Sequence, residues 1–301
     1  MAAIAAPPKD QVLQGILLMC LAVVCFSSLN ASAKLLSTFG FDMGQVVWAR
    51  YMGSLVVMVL IFFPRHRLRL FRPRHMGIQI IRGLMLFGSS ALYFQGLAHA
   101  DLSLAATISM TSPILITALS VPFLGEQVGM RRWIAVCVGF VGALIVIRPG
   151  IGETNPYILF FVASTMCSTF YSLITRKYAG EENAEVSATI ATVVGTIGTV
   201  PLAIPVWQTP TEPLAIALMC VLGLFAALGH YFFTMALQRG PVAVISPFSY
   251  TQLVGATIAG YLLFNSLPDH WTLIGAAIIM SSGLYIAHRE RVRRVRQSSH
   301  R

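Results

Sequence analysis

LAIALMCVLGLFAALGHYFFTMA, residues 214–236, contains no Asp, Glu, Lys or Arg. A helix of this length rises about 35 Å, enough to cross the ~30 Å hydrocarbon layer of a bilayer. Nine further runs are predominantly apolar with at most two charged residues each, at 14–34, 44–63, 76–97, 103–123, 131–147, 156–176, 186–206, 242–264 and 271–288. They are separated by turn signals: Pro64 with Pro73, Ala100-Asp101, Gly125-Glu126, Arg148-Pro149-Gly150, Pro210 with Pro213, Gly240-Pro241 and Pro268-Asp269. The whole chain, 301 residues, is 56% hydrophobic and 11% charged, with a mean hydropathy of +0.74. A soluble domain of this size carries roughly a quarter of its residues charged. The expectation is therefore an all-α integral membrane protein with ten transmembrane helices, and its connections are too short to hold a folded soluble domain.

The net charge of +10 is informative through its distribution. Arg65, Arg67, Arg69, Arg72 and Arg74 follow the second run; Arg131 and Arg132 follow the fourth, Arg176 and Lys177 the sixth, Arg239 the eighth, and six arginines from Arg289 onward follow the tenth. The alternate loops offer only Lys34 and Arg148. The positive-inside rule then places both termini in the cytoplasm, the 98–102 and 265–270 turns outside, and the chain as a multi-pass protein of the cell inner membrane. Lys9, the apolar run from Gly15 and Ala31-Ser32-Ala33 imitate a cleavable signal peptide, a reading weakened by Asp10 beside Lys9. The basic stretch Arg65–Arg72 and the basic tail fit anionic lipid headgroups, so no nucleic acid partner is needed. The five cysteines all lie in apolar runs without a CxxC pair, which argues against disulfides and metal. No cofactor is implied.

Sliding the chain against itself by about 140 residues aligns Cys25 with Cys167, Ser27 with Thr169, Lys34 with Arg176, Pro64 with Pro205 and Leu97 with Leu237. The repeat unit holds five helices, giving units at 13–148 and 154–289. Because five is odd, the second unit enters the membrane in the opposite sense. Such inverted repeats mark secondary transporters, where a midplane site is exposed alternately to each side.

Particular motifs point the same way. Trp48-Ala49-Arg50-Tyr51, Leu102 to Thr107 leading to Thr111-Ser112-Pro113, Leu124-Gly125-Glu126, and the glycine-rich fifth run ending Val146-Ile147-Arg148-Pro149-Gly150 form one set. The second half adds Gly229-His230, Pro247 to Gln252 and Gly275 to Tyr285. Together they resemble the ten-helix EamA transporters of the drug/metabolite transporter superfamily, over residues 13 to 289. The sequence departs from that pattern at Phe264-Asn265, where a second Gly-Glu is usual. The resemblance implies a central cavity surrounded by helices 1, 3, 4, 6, 8 and 9. It also implies a small-metabolite substrate, since the family includes amino-acid exporters and importers of riboflavin and S-adenosylmethionine.

Polar groups inside apolar runs must be satisfied within the bundle or face water. Asn30, Tyr93, Thr111, Tyr171, His230, Tyr250 and Gln252 are the candidate substrate-binding residues. The competing reading is structural, because Ser and Thr commonly bond their own helix and any amide or phenol can pair with a neighbour. Arg50 and Arg82 sit about six residues from a helix end and are expected to snorkel as anchors, with attraction of an anionic substrate group as the alternative for Arg50. Pro113 and Pro247 interrupt the fourth and ninth helices, either as packing kinks or as openings toward a cavity. Glu126 beside Arg131 and Arg132 reads as an interfacial charge cluster. No GxxxxGK[ST] loop, HExxH motif, Ser-His-Asp set or deeply placed carboxylate appears. The expectation is a secondary transporter, not an enzyme. It would move a neutral or zwitterionic, partly planar metabolite (amino acid, vitamin or nucleoside-like) by alternating access, as a monomer or homodimer. A channel or substrate-binding receptor is the alternative, with an intramembrane enzyme weaker.

Overall fold

The computed structural model describes residues 9–125, 129–148, 156–178, 181–239 and 245–299. The Glu126 cluster and the Pro149-Gly150 and Gly240-Pro241 breaks lie outside the described residues, as do the side chains of Arg176 and Pro247. Every element is helical: α1 Lys9–Thr38, α2 Met43–His66, α3 Met76–Ala98, α4 Leu102–Ser109, α5 Ser112–Leu124, α6 Met130–Ile147, α7 Ile158–Lys177, α8 Ala184–Ala203 and α9 Pro213–Gln238. A 3₁₀ turn, Ser246–Thr251, then leads into α10 Gln252–Phe264, and α11 spans His270–Ser299. Among the described residues nine stretches are long and apolar enough to cross a membrane; the short 246–264 segment is the tenth span. Large apolar side chains point outward, with Leu60 71%, Ile197 67% and Leu262 72% exposed. A soluble protein would not leave a belt of this kind in water, whereas lipid tails cover it without penalty.

The helix ends follow local chemistry. Asp42 caps α2 by accepting from the Gly44 N–H at 2.7 Å. Gly125 and Asn265 end α5 and α10 in the left-handed region, with φ of 66° and 51°, where glycine and asparagine are the residues best tolerated. Three expected spans differ in form. The 103–123 run is two helices broken at Met110–Thr111, the ninth run begins its described part in a 3₁₀ turn, and α11 continues well beyond residue 288 into the basic tail.

Packing follows one scheme. α1 lies against α9 as α7 lies against α3; α2 meets α9 as α8 meets α3; α1 meets α10 as α7 meets α5. The pairs α2 with α8, α6 with α11, and α4 with α10 complete the set. Replacing each span by the one five places away maps every one of these pairings onto another or onto itself. Close approaches obey the same exchange. A Cβ on Gly223 in α9 would overlap the Gly53 backbone in α2, and about 140 residues away a Cβ on Gly83 in α3 would come 2.7 Å from Val194 Cβ in α8. Small residues at crossings let helices approach when no hydrophobic force separates them from lipid. The buried threonines are satisfied within their own helices: Thr165, Thr169, Thr192, Thr196 and Thr199 each donate to the carbonyl four residues earlier.

Candidate substrate cavity

A cavity of 210 Å³ lies at the meeting of the two halves. It is lined from α1 by Phe26, Leu29 and Asn30, from α3 by Ser89, Ser90 and Tyr93, and from α7 by Ser164, Thr165 and Ser168. His230 comes from α9 and Gln252 from the start of α10, while Ser109 and Ser112 flank the break between α4 and α5. All six helical spans expected around a cavity contribute, and α2 adds Arg50.

The lining is a hydrogen-bonded set. Asn30 donates through Nδ2 to the Tyr93 hydroxyl at 3.2 Å, joining α1 to α3. Ser164 donates to the Ser89 carbonyl at 2.7 Å, joining α7 to α3. Arg50 donates through Nη1 to Ser90 Oγ, and its Nη2 lies 3.3 Å from His230 Nε2. An arginine can only donate, so Nε2 is the acceptor in this contact and the imidazole proton sits on Nδ1. The guanidinium carbon stands 5.0 Å from the centre of the Tyr51 ring and 5.7 Å from that of Phe94, within cation–π range. Phe26 meets the His230 ring edge to face at 5.1 Å.

Asn30, Tyr93, His230 and Gln252 thus come together at the cavity, and three other candidates stand outside its lining. Thr111 donates to the Ile108 carbonyl at 2.7 Å, within the break between α4 and α5. The Tyr171 hydroxyl accepts from Arg82 Nη2 at 3.4 Å. Tyr250 is buried with its hydroxyl against Gly283 of α11. Two expectations are corrected. Arg50 and Arg82 are not snorkelling anchors: they are 7% and 8% exposed and point into the bundle, Arg82 toward Gln79 and Tyr171 and Arg50 toward the cavity. Counting residues from a helix end gives depth but not the face from which a side chain leaves, and both arginines leave from inward faces. The earlier signal was Trp48-Ala49-Arg50-Tyr51 itself, where a charge lies between aromatic residues that can hold it by cation–π contact.

Contacts join the halves at both ends of the bundle. At one end Lys34 stands 5.4 Å from the Phe264 ring centre, Ser266 donates to Asp101 at 2.7 Å, and Arg148 pairs with Asp269. At the other end Arg239 donates to Gln14 at 2.5 Å and His75 lies 3.5 Å from Glu181.

The family model described as the EamA-like transporter family matches this chain twice, at residues 13–148 and 155–287. An S-adenosylmethionine uptake transporter of Rickettsia bellii is 30% identical, the match covering 90% of this chain and 92% of its own length. The corresponding protein of Rickettsia conorii is 30% identical over 82% and 83%. A riboflavin transporter of Vibrio cholerae is 28% identical over 94% and 95%. A solved crystal structure with 19% identity superposes with a TM-score of 0.67 over 93% of this chain and 97% of its own, which speaks for the fold alone. With two family matches that together span nearly the whole chain, on a helical membrane bundle whose halves meet at a cavity, the chain belongs to the EamA-like transporter family and is a secondary transporter of small metabolites.

Proposed function

We propose that residues 13–148 and 154–289 form two repeats of opposite membrane orientation, and that the chain moves a partly planar metabolite by opening the cavity to each side in turn. The protein is read as resident in the cytoplasmic membrane with both termini inside. The observation that carries this reading is the cavity where the halves meet, to which both contribute polar groups, between two belts of contacts that each join the halves. A site near the midplane between exchangeable halves is what alternating access requires. Asn30, Tyr93, His230 and Gln252 hold the substrate, and Thr111, Tyr171 and Tyr250 shape the wall behind them. No step here makes or breaks covalent bonds, so the chain is read as a carrier and not an enzyme. S-adenosylmethionine and riboflavin, named for the relatives, are the first substrates to test, because an aromatic system with uncharged polar edges suits serines, an amide and phenyl faces. Purified protein in liposomes is expected to give saturable counterflow of one of them without ATP. Unsaturable flux would mark a channel, and flux of neither them nor any member of a metabolite panel would overturn the reading.

A further inference from the structure

Arg50 brings a full positive charge to the cavity wall, and among the described residues no carboxylate pairs with it. All eleven acidic residues lie outside or at the ends of the membrane-crossing stretches. Among the described residues the ion pairs are His75 with Glu181 and Arg148 with Asp269, both at exposed positions. The partners of Arg50 are a serine hydroxyl, an imidazole and two aromatic rings, all neutral in this arrangement. Neutral dipoles spread the charge of a guanidinium but do not balance it, and a charge inside a membrane bundle is expensive unless a partner or a function retains it. The hydrogen bonds are also incomplete: Arg50 Nε is buried with no acceptor.

A planar guanidinium at the cavity wall matches a carboxylate, which can accept two parallel N–H bonds from its fork. A single guanidinium also suits a single negative charge better than a doubly charged phosphate. The remaining lining, Asn30 with Tyr93, the serines, His230 and Gln252, holds no second charged side chain. Building on the transport reading above, the geometry points to a carboxylate-bearing metabolite as the substrate, its carboxylate docking on Arg50 while its uncharged ring lies against the aromatic and serine wall. S-adenosylmethionine carries this group and riboflavin does not, so the two relatives' substrates fall on opposite sides of the inference.

The test titrates detergent-purified protein with compounds matched in all but the charged group. S-adenosylmethionine is compared with its decarboxylated form, and a panel of metabolite carboxylic acids with their primary amides; riboflavin and phosphate monoesters serve as carboxylate-free probes. Binding is read by calorimetry and thermal shift. The expected result is that at least one acid binds about tenfold or more tightly than its partner lacking the carboxylate, the difference a charge-assisted hydrogen bond supplies. Arg50→Gln should erase the difference, and Arg50→Lys, which keeps charge without the fork, should retain part of it. Should Arg50→Gln fail to fold, the matched pairs in the unmodified protein together with Arg50→Lys decide. Equal binding of acid and amide, preference for riboflavin or phosphate esters, no binding by any acid, or discrimination that survives Arg50→Gln would each overturn the inference. Counterflow separates the two claims. Its absence for every compound defeats the transport reading, whereas normal counterflow of a carboxylate-free substrate, unchanged in Arg50→Gln, defeats only the carboxylate.

Discussion

Asn30 and Tyr93 hold each other across α1 and α3, so any substrate that bonds either one must offer at least what the pair already makes. Asn30→Ala removes one uncharged hydrogen bond, which is worth about 0.5–1.5 kcal/mol. Counterflow at limiting substrate should fall by about three- to tenfold while melting temperature stays within a few degrees. His230→Ala should cost at least as much, because it also removes the acceptor that faces Arg50. If both variants transport normally, the cavity residues have been misassigned. Four of the seven candidate residues line the cavity, since an amide, a phenol or an imidazole in an apolar run has few places to go but inward. Thr111 and Tyr171 turn inward as well but are taken up by the Ile108 carbonyl and by Arg82, and Tyr250 packs against Gly283; the neighbours of the two tyrosines are tertiary contacts that one sequence does not display. Arg50 shows the opposite failure: its length suggested escape to the surface, yet its aromatic neighbours hold it inside.

At the scale of the helix, the fourth span is where local chemistry and the cavity meet. Pro113 stands in the first turn of α5 and has no N–H to give the Ser109 carbonyl, and the chain breaks between α4 and α5 at Met110–Thr111. Ser109 and Ser112, on either side of the break, both line the cavity. Gln252, at the junction of the 3₁₀ turn and α10, lines it from the span that packs against α4. Discontinuous helices at depth are tolerated where the freed backbone faces a cavity, so the packing-kink reading of Pro113 gives way to one in which the break shapes the site. Pro113→Ala restores the missing donor and lets α4 and α5 join. The variant should melt at the same temperature or higher yet show counterflow reduced several-fold; a variant unchanged in both would make the break incidental. Most spans were visible in the sequence to within two or three residues, since the apolar runs and their Pro and Gly boundaries fix them. The fourth was read as continuous because hydropathy does not change at Met110–Thr111. The extension of α11 was missed because its charged end lies beyond the apolar run.

For the whole molecule, the exchange of helix pairings between halves fits the proposed inversion of the repeats, under which the two ends of the bundle take equivalent roles, and orientation in the membrane is testable on its own. Leu68 and Leu267 are 65% and 62% exposed, near opposite ends of the bundle. In a cysteine-free background and right-side-out vesicles, Leu267→Cys should react with an impermeant maleimide and Leu68→Cys should not; the reverse pattern would invert the topology. The end that carries Leu267 is also where the halves are tied by Ser266 to Asp101 and Arg148 to Asp269. Burial alone would raise the Asp269 pKa, but hydrogen bonds from Thr272 and the charge of Arg148 outweigh it and hold the carboxyl below its ordinary value. A lowered folded-state value means the tie is fully present above the unfolded pKa of about 4 and is lost only as pH falls through the lower folded value. Between pH 5.5 and 8 this closure should therefore not vary. Alternating access requires it to break and reform in every cycle, while the cavity stays reachable from the opposite face. Asp101→Cys with Ser266→Cys, joined by a short cleavable bis-thiosulfonate, should stop counterflow at both pH values, leave substrate binding measurable by thermal shift, and regain flux on reduction. Counterflow that continues with the two positions joined would mean that this face never opens and that the substrate takes another path.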